Sequence, residues 1–325
     1  MRMLSQIWTV IASLCTASLA TAAQASDGYP SRPIRLIVAS SAGGEPDILG
    51  RMVAQHMSPD LGQPIVVENK PGAGGLIGVA AAASAAADGY TIALVPQATL
   101  ALSPHLVTKK LFDPLTDISP VGLLCVSGNA LLVPAKSTLK SYADFVAQAK
   151  ANPGKLSYGS WGEGSAGHLS GEIMNKSASV NIQHIPYKAS NEALMGMLGG
   201  EVDAIFTGWG TASTQAQAGT VRVLAVTSPQ RATVFPDVPN FRELGIPFGL
   251  NSWYGLVAPK NLPTPVLKRL EDSMQKVVKQ PDVAARLASM GMQPQTSTAE
   301  QLRERIHIDH GIWGKKIAEV GVQPR

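Results

Sequence analysis

Short apolar runs alternate with segments of helical spacing along most of the chain. Residues 34–38 (IRLIV) and 65–68 (IVVE) are β-rich, and the segment 47–61 between them places its apolar residues at helical intervals. The pattern continues to residue 95 and restarts after Ser119. Apolar strands separated by helices of about 10–15 residues are typical of parallel βαβ units whose sheet faces are both covered. The pattern therefore predicts an α/β protein with two similar lobes and a cleft between them.

Strands and helices can be assigned from residue 34 to residue 320. The predicted strands are residues 34–38, 65–68, 90–95, 121–125, 130–133, 156–159, 182–185, 202–206 and 221–227. The predicted helices are residues 47–61, an alanine-rich segment ending at 87, 141–151, a segment ending near 177, 191–198, 265–279, 282–290 and 299–320. The C-terminal part is thus mostly helical, and chain order alone does not show whether it returns to the first lobe.

The first 25 residues have the three parts of a secretory signal peptide. Arg2 supplies a positive charge, residues 7–20 are apolar, and the segment 23–25 (AQA) is an A-x-A cleavage site. The apolar run of about 14 residues is shorter than the roughly 20 that a membrane-spanning helix needs. We therefore expect the protein to be exported, with the signal peptide cleaved after Ala25.

Composition and charge narrow the classes of function. The chain has 325 residues, enough for about two domains, and 45% of them are apolar. Its 27 Lys+Arg against 23 Asp+Glu leave a net charge of +4 with no long basic run, which disfavours nucleic acid as a partner. Once the signal peptide is removed, Cys125 is the one remaining cysteine and cannot form an internal disulfide. We expect it to be a buried apolar residue rather than a nucleophile.

Three loops are candidates for ligand binding because each follows a predicted strand and precedes a predicted helix. They are residues 40–47, 162–167 and 186–191. In open α/β sheets ligands bind at the carboxyl ends of strands, where helix N-termini offer free N–H groups and a partial positive charge. In the first loop, Pro46 suits the first helical turn. Glu45 opposes anion binding there, so it either faces solvent or recognises a cationic group of the ligand.

The second loop contains a literal G-x-G-x-x-G sequence. Residues 162–167 read GEGSAG, as in dinucleotide-binding proteins, but the acidic residue expected about 20 positions later is missing. We therefore expect no nucleotide cofactor. What remains is a glycine-rich turn with Ser160, Ser165 and His168 as donors, which suits a carboxylate. In the third loop, Lys188 is expected to be a solvated charge.

Signatures of the common enzyme classes are missing from the sequence. No nucleophile elbow occurs, because Glu163 stands where the first glycine is needed before Ser165. His307 and His310 have metal-like spacing but no third ligand nearby. The enzymatic alternative is an exported α/β hydrolase using Ser165 and His168, although no acidic residue to orient the histidine is evident. We expect no catalytic residue, no metal and no cofactor.

Ordered motifs extend over essentially the whole mature chain. They are YPSRPI at 29–34, GQPIVVENKPGAGG at 62–75, ADGYT at 87–91, NPGKLSYGS at 152–160, GSAGHL at 164–169, HIPYK at 184–188, LAVTS at 224–228 and PDVP at 236–239. In these motifs the chain resembles the Bug family, the extracytoplasmic solute receptors of tripartite tricarboxylate transporters. The resemblance implies a bilobed periplasmic-binding-protein fold of type II, with two mixed-sheet lobes joined by two crossover strands around a ligand cleft. Lobe one would hold residues 26–126 and 228–325, and lobe two residues 127–227.

The resemblance also implies a function and a site. The family's receptors capture small carboxylates in the periplasm by hinge closure and deliver them to the integral membrane subunits of the transporter. We expect a monomer, and a sensor partner for a membrane kinase would use the same binding chemistry. Together with the three loops, the resemblance gives the candidate ligand-binding residues Ser40, Ser41, Ala42, Gly43, Asp47, Gln97, Thr99, Ser160, Gly162, Ser165, Ala166, Gly167, His168, Asn191, Thr207 and Trp209.

The chain departs from the family pattern in ways that bear on the ligand. Ser40 stands where an aromatic residue is usual, which would enlarge the pocket, and Thr207 stands where Asp is usual, which favours an anion over an amine. Trp209 is either a stacking wall of the pocket or a core or inter-lobe contact. We hypothesise a bulkier ligand, such as the aromatic dicarboxylate terephthalate or an aromatic monocarboxylate.

Overall fold

The computed structural model describes residues 28–249, 251–322 and 324, so the predicted signal peptide lies outside the described residues. Strands β1 to β11 are, in chain order, Ile34–Val38, Ile65–Asn69, Thr91–Pro96, Ile118–Ser127, Asn129–Pro134, Ser157–Ser160, Gln183–Pro186, Ala204–Gly208, Val221–Val226, Ser252–Pro259 and Gln293–Pro294. Helices α1 to α10 are Glu45–Leu61, Leu76–Ala83, Gln97–Ala101, Tyr142–Ala151, Ala166–Ala178, Ser190–Gly199, Trp209–Gln217, Thr264–Val278, Pro281–Ser289 and Ala299–Val320. None of the helices in these ranges combines the length and the apolar character that a membrane span requires.

Several helix ends follow from local sequence signals. Helix α1 has Pro46 in its first turn, as predicted, and ends at Gly62 in the left-handed conformation. Helix α4 begins after Ser141, whose side chain accepts the backbone N–H of Asp144 while the Asp144 carboxylate accepts the N–H of Ser141. The predicted cap at Ser141 is therefore confirmed. Thr298 caps the long helix α10 in the same reciprocal way.

The first sheet has six strands in the order β11-β4-β10-β3-β1-β2. Strands β1, β2 and β3 are parallel, as the βαβ pattern predicts, whereas β10 is antiparallel to both β3 and β4. Strand β10 was not predicted, although seven of its eight residues are buried. Helix α1 covers one face with Leu49, Val53 and Met57, which are fully buried against the sheet.

The second sheet has five strands in the order β7-β6-β8-β5-β9. Strand β6 is parallel to β7 and β8, whereas β5 is antiparallel to β8 and β9. All nine strands that the sequence predicts are present in the two sheets. The expected fold of two mixed-sheet α/β lobes is therefore confirmed. We call the parts built on the six-stranded and five-stranded sheets the first lobe and the second lobe.

The chain crosses between the lobes twice. It leaves the first lobe at Gly128, between β4 and β5, and returns through residues 227–251, between β9 and β10. The C-terminal part thus supplies β10 and β11 to the first sheet. The strands follow the division that the resemblance implies, while the exact limits of the two lobes stay a prediction.

Helix α10 packs on both lobes. Near its start, Leu302 and Ile306 lie in the core of the first lobe. Near its end, Trp313 and Ile317 lie in the core that α4, α5 and the second sheet build. The backbone carbonyl of Glu319 accepts a hydrogen bond from Lys176 of α5 at 2.8 Å. The C-terminal helix is therefore a third connection between the lobes, in addition to the two crossovers.

Candidate functional site

A cavity of about 930 Å³ lies between the two lobes and takes wall residues from both. The first lobe contributes the start of α1 and residues of α3 and β10. The second lobe contributes the loops that begin α5, α6 and α7. The starts of α1, α5 and α6 belong to the three candidate binding loops of the sequence, and in the structure they face each other across the cavity. We call this cavity the cleft.

In the loop 40–47, the buried Asp47 has a structural role. Its carboxylate accepts hydrogen bonds from the backbone N–H of Gly43 at 2.9 Å, from Arg51 Nε at 3.0 Å and from Asn69 Nδ2 at 3.0 Å. The Gly43 N–H above all, and then Arg51, holds the pKa of Asp47 below its usual range. Asp47 fixes the loop and does not line the cleft, and neither do the four candidates of residues 40–43. Their place on the cleft wall is taken by Glu45 and Pro46.

Glu45 faces the cleft. Tyr254 of β10 donates a hydrogen bond to Glu45 Oε1 at 2.6 Å, and both residues line the cavity. The cleft walls withdraw solvent from the carboxyl group and raise its pKa, and the Tyr254 hydrogen bond partly opposes that shift. The sequence left open whether Glu45 faces bulk solvent or a ligand, and in the structure it lines the cleft.

Gln97 and Thr99 both line the cleft, at the position after β3 that the family resemblance implies. The Gln97 side chain is 3% exposed and donates to Asp309 Oδ2 of α10 at 3.3 Å. Asp309 also accepts from Trp253 Nε1 at 2.7 Å, so one buried carboxylate fixes α3, β10 and α10 relative to each other. Thr99 Oγ1 donates to the carbonyl of Gly74 at 2.9 Å.

On the second lobe, Ser165 and Ala166 line the cleft at the start of α5. Ser165 Oγ caps the helix by accepting the backbone N–H of His168 at 3.2 Å, and it donates to Ser160 Oγ at 3.2 Å. Ser160 Oγ in turn lies 2.8 Å from His184 Nε2. Ser160 therefore supports Ser165 from behind and is itself buried.

His168, Gly162 and Gly167 lie behind the cleft wall, whereas Gly164 of the same loop lines it. The ring Nδ1 of His168 accepts the backbone N–H of Gly164 at 3.0 Å, and the ring stacks on His184 at 4.1 Å between centroids. Burial, and secondly the nearby His168, lower the pKa of His184 to about 4. Gly162 adopts a positive φ of 116° that the turn requires. Gly167 allows the Trp161 ring to lie against α5, since a side-chain carbon there would come within 2.7 Å of the ring.

The third loop contributes Lys188, Ala189 and Ser190 to the cleft. Thr207 is fully buried behind this wall, and its Oγ1 lies 2.6 Å from Ser190 Oγ. Asn191 does not line the cleft. Lys188 and Ser190 were not chosen as site residues from the sequence, and their position at the start of α6 was the signal that could have selected them.

Trp209 lies in the core of the second lobe with 1% of its surface exposed. Its ring packs over Gly128, where a side-chain carbon would come within 2.5 Å of it. The residue does not line the cleft, so the structure shows the core contact rather than the stacking wall. The aromatic side chains on the cleft walls are Trp161, Phe248, Tyr254 and Trp313.

Of the candidate residues, Gln97, Thr99, Ser165 and Ala166 thus lie on the cleft wall, and the others lie beside or behind it. Within the described residues, no group of three His, Cys, Asp or Glu side chains is arranged to hold a metal ion. Cys125 is buried, with its Sγ 3.6 Å from Met292 Sδ, and burial raises the pKa of the thiol. It is therefore an apolar core residue, as predicted.

Comparison with known proteins identifies the family. Residues 49–322 match the family model described as tripartite tricarboxylate transporter family receptor, TctC. The chain belongs to this family. Among TctC relatives, it is 39% identical to the UPF0065 protein in the gbd 5' region of Cupriavidus necator over 295 residues, covering 89% of this chain and 88% of the relative. It is 34% identical to BugT of Bordetella pertussis over 312 residues, covering 95% of each.

Solved structures show the same relationship. A structure described as a periplasmic transporter is 37% identical with a TM-score of 0.78, covering 91% of this chain and 99% of the other. The periplasmic binding protein BugD is 31% identical with a TM-score of 0.76, covering 91% and 100%. The R. palustris protein Rpa4515, solved with adipate, is 28% identical with a TM-score of 0.79, covering 91% and 100%. The TctC family and these neighbours are solute-binding receptors and not enzymes, so the hydrolase alternative is set aside.

Proposed function

We propose that the protein is a periplasmic receptor that captures a small carboxylate in the cleft and delivers it to the membrane subunits of a tripartite tricarboxylate transporter. The observation that carries this proposal is the second-lobe wall, where α5 and α6 begin at the cleft beside Lys188. Free N–H groups at two helix N-termini and one ammonium group favour a carboxylate. The TctC family assignment and the adipate seen in a structural neighbour support the same ligand class.

The ligand we propose is a bulky carboxylate, an aromatic mono- or dicarboxylate such as terephthalate. Four aromatic side chains on the cleft walls support an aromatic body for the ligand: Trp161, Phe248, Tyr254 and Trp313. Rings of this kind bind an aromatic ligand by offset or edge-to-face contacts. They supply the stacking wall that was one of the two alternatives for Trp209, and Thr207, where the family pattern has Asp, puts no negative charge behind the third-loop wall.

Titration calorimetry tests the ligand class with four acids. We expect heat from benzoate and terephthalate, and weak or no heat from citrate and glutamate. If only citrate or glutamate binds, the aromatic ligand is wrong while the carboxylate receptor stands. If none of the four binds, the carboxylate proposal itself loses its support.

Ligand capture is proposed to proceed by closure of the two lobes about Gly128 and the segment 227–251. The first lobe alone or the second lobe alone supplies only part of the cleft wall, so a ligand that contacts both favours the closed state. Small-angle scattering with and without saturating ligand measures this closure as a smaller radius of gyration. An unchanged radius with bound ligand would argue against closure.

Export is tested on the protein itself. We expect the periplasmic fraction to contain a mature chain that begins at Ser26, after removal of the signal peptide. N-terminal sequencing of the purified protein reads this position directly. A chain that keeps residues 1–25 in the cytoplasmic fraction would contradict both the cleavage site and the location.

A further inference from the structure

We infer that Glu45 makes the cleft selective for carboxylates that carry a hydrogen-bond donor, a hydroxyl or an ammonium group, at the end opposite the carboxylate. The inference rests on the proposed function and narrows its ligand class to aromatic monocarboxylates that carry such a donor, so that terephthalate, with its second carboxylate, becomes a weak ligand rather than the preferred one. Glu45 is an acidic residue in a glycine-rich loop, and the sequence alone left its role open.

The first-lobe end of the cleft presents a fixed hydrogen-bond acceptor. Tyr254 uses its hydroxyl to hold Glu45 Oε1, while Glu45 Oε2 has no hydrogen-bond partner among the described residues. Glu45 also forms no salt bridge within the described residues, and its side chain is exposed to the cleft. A carboxylate offers only acceptor sites, so its free oxygen suits a donor group of a ligand and repels a second anion.

The second-lobe end of the cleft has the opposite character. Lys188 lies on that wall, and its ammonium group forms no salt bridge or hydrogen bond within the described residues. The N-termini of α5 and α6 lie on the same wall. Glu163 is a second acidic residue of the cleft, but it shares this wall with Lys188 and the two helix starts. The start of α1 also reaches the cleft on the first lobe, but Glu45 itself occupies the first turn of that helix. The cleft is therefore polar along its length, with anion-binding groups on the second lobe and an acceptor on the first.

This polarity orients the ligand and discriminates between related acids. A ligand that places its carboxylate on the second lobe directs its far end towards Glu45. A hydroxyl or ammonium group there can donate to Glu45 Oε2, whereas a second carboxylate meets a like charge in a cleft with reduced solvent. We therefore expect 4-hydroxybenzoate and 4-(aminomethyl)benzoate to bind more tightly than benzoate, and terephthalate to bind less tightly than any of these.

Titration calorimetry with these four probes tests the inference on the mature protein and on three variants. The natural protein should bind 4-hydroxybenzoate roughly tenfold or more tightly than terephthalate, the effect of about one charge-assisted hydrogen bond. Glu45→Gln removes the charge but keeps the side-chain size, and it should shift this ratio by roughly tenfold towards terephthalate. Tyr254→Phe leaves the charge but releases the carboxylate, and it should weaken binding of the two donor-bearing probes while benzoate is little affected.

Glu163→Gln is the matched control, because it removes another cleft carboxylate on the opposite wall. It should change the affinity for all four probes by a similar factor and preserve their order. The inference is overturned if terephthalate binds the natural protein as tightly as 4-hydroxybenzoate, or if Glu45→Gln and Glu163→Gln change the order of the probes alike. In either case binding of benzoate still supports the proposed function. If none of the four probes binds, although cooperative unfolding on heating shows that the protein is folded, both proposals fail together.

Discussion

Substitution of Gly128 by alanine tests the contact that fixes the crossover between the lobes. A side-chain carbon at this position would lie 2.5 Å and 2.6 Å from two ring carbons of Trp209. The ring cannot retreat easily, because Trp209 is 1% exposed and is surrounded by the second-lobe core. Adding one methyl group to a close-packed core costs about 1–3 kcal/mol. We expect Gly128→Ala to lower the free energy of unfolding by that amount and the melting temperature by several degrees.

Urea or thermal unfolding followed by circular dichroism measures this change, and Gly208→Ala is its control. Gly208 also lines the cleft next to Trp209, but a side-chain carbon there has no neighbour within 4 Å. Substitution of Gly208 by alanine should lower the free energy of unfolding by only about 0.5 kcal/mol or less, because alanine is a less favourable N-cap for α7. Equal stability of the two variants would refute the argument. Trp209→Phe should also cost less in the Gly128→Ala background than alone, because the smaller ring relieves the clash.

Three further predictions concern an ion pair, a helix cap and an aromatic wall. The pKa of Asp60 is lowered to about 2, first by Lys276 and also by Arg269. Asp60→Asn should therefore cost about 1–2 kcal/mol at pH 7, since the group is partly exposed, and the difference from the natural protein should shrink below about pH 4 in urea titrations. Ser165→Ala should cost about 1 kcal/mol of stability by removing a helix cap. It should also cost ~1.5–3 kcal/mol of carboxylate binding by calorimetry, because the hydroxyl proton that Ser160 Oγ accepts here turns to the ligand when a carboxylate binds. A loss of stability without a loss of affinity would place Ser165 outside the binding site. Trp161→Ala should weaken benzoate binding by about 1 kcal/mol or more while leaving a linear dicarboxylate such as adipate less affected.

Hydrophobic periodicity together with turn and capping residues was sufficient to predict most of the secondary structure. The runs at 34–38 and 65–68 are short, apolar and separated by one amphipathic helix, so their parallel pairing follows from local order. Strand β10 could not be found in this way. Its position between β3 and β4 depends on pairing with residues more than a hundred positions earlier, to which the local sequence of residues 252–259 gives no clue.

Side-chain placement in the cleft was predictable where it follows from a strand end or from a helix start, as for Ser165 and Ala166 at the start of α5. Gln97 and Thr99 follow β3 directly, and the structure places both on the wall. For the two tryptophans, the outcome depends on one glycine each, which lies 81 positions before Trp209 and six positions after Trp161. Gly128 gives room that draws Trp209 into the core, and Gly167 gives room for the Trp161 ring beside α5. Contacts of this kind belong to tertiary packing, so the sequence could not decide which indole reaches the cleft.

The central position of β10 has a consequence for the order in which the chain can fold. All five strands of the second sheet lie between residues 129 and 226, so that sheet can assemble before the C-terminal part is synthesised. The first sheet cannot, because β3 and β4 do not pair with each other and need residues 252–259 between them. Closing the long loop between β3 and β10 is the kind of non-local pairing that slows folding. A nascent chain that stops short of residue 252 therefore holds the three strands β1 to β3 apart from the single strand β4, and the strand edges that β10 and β11 later cover are exposed to other chains.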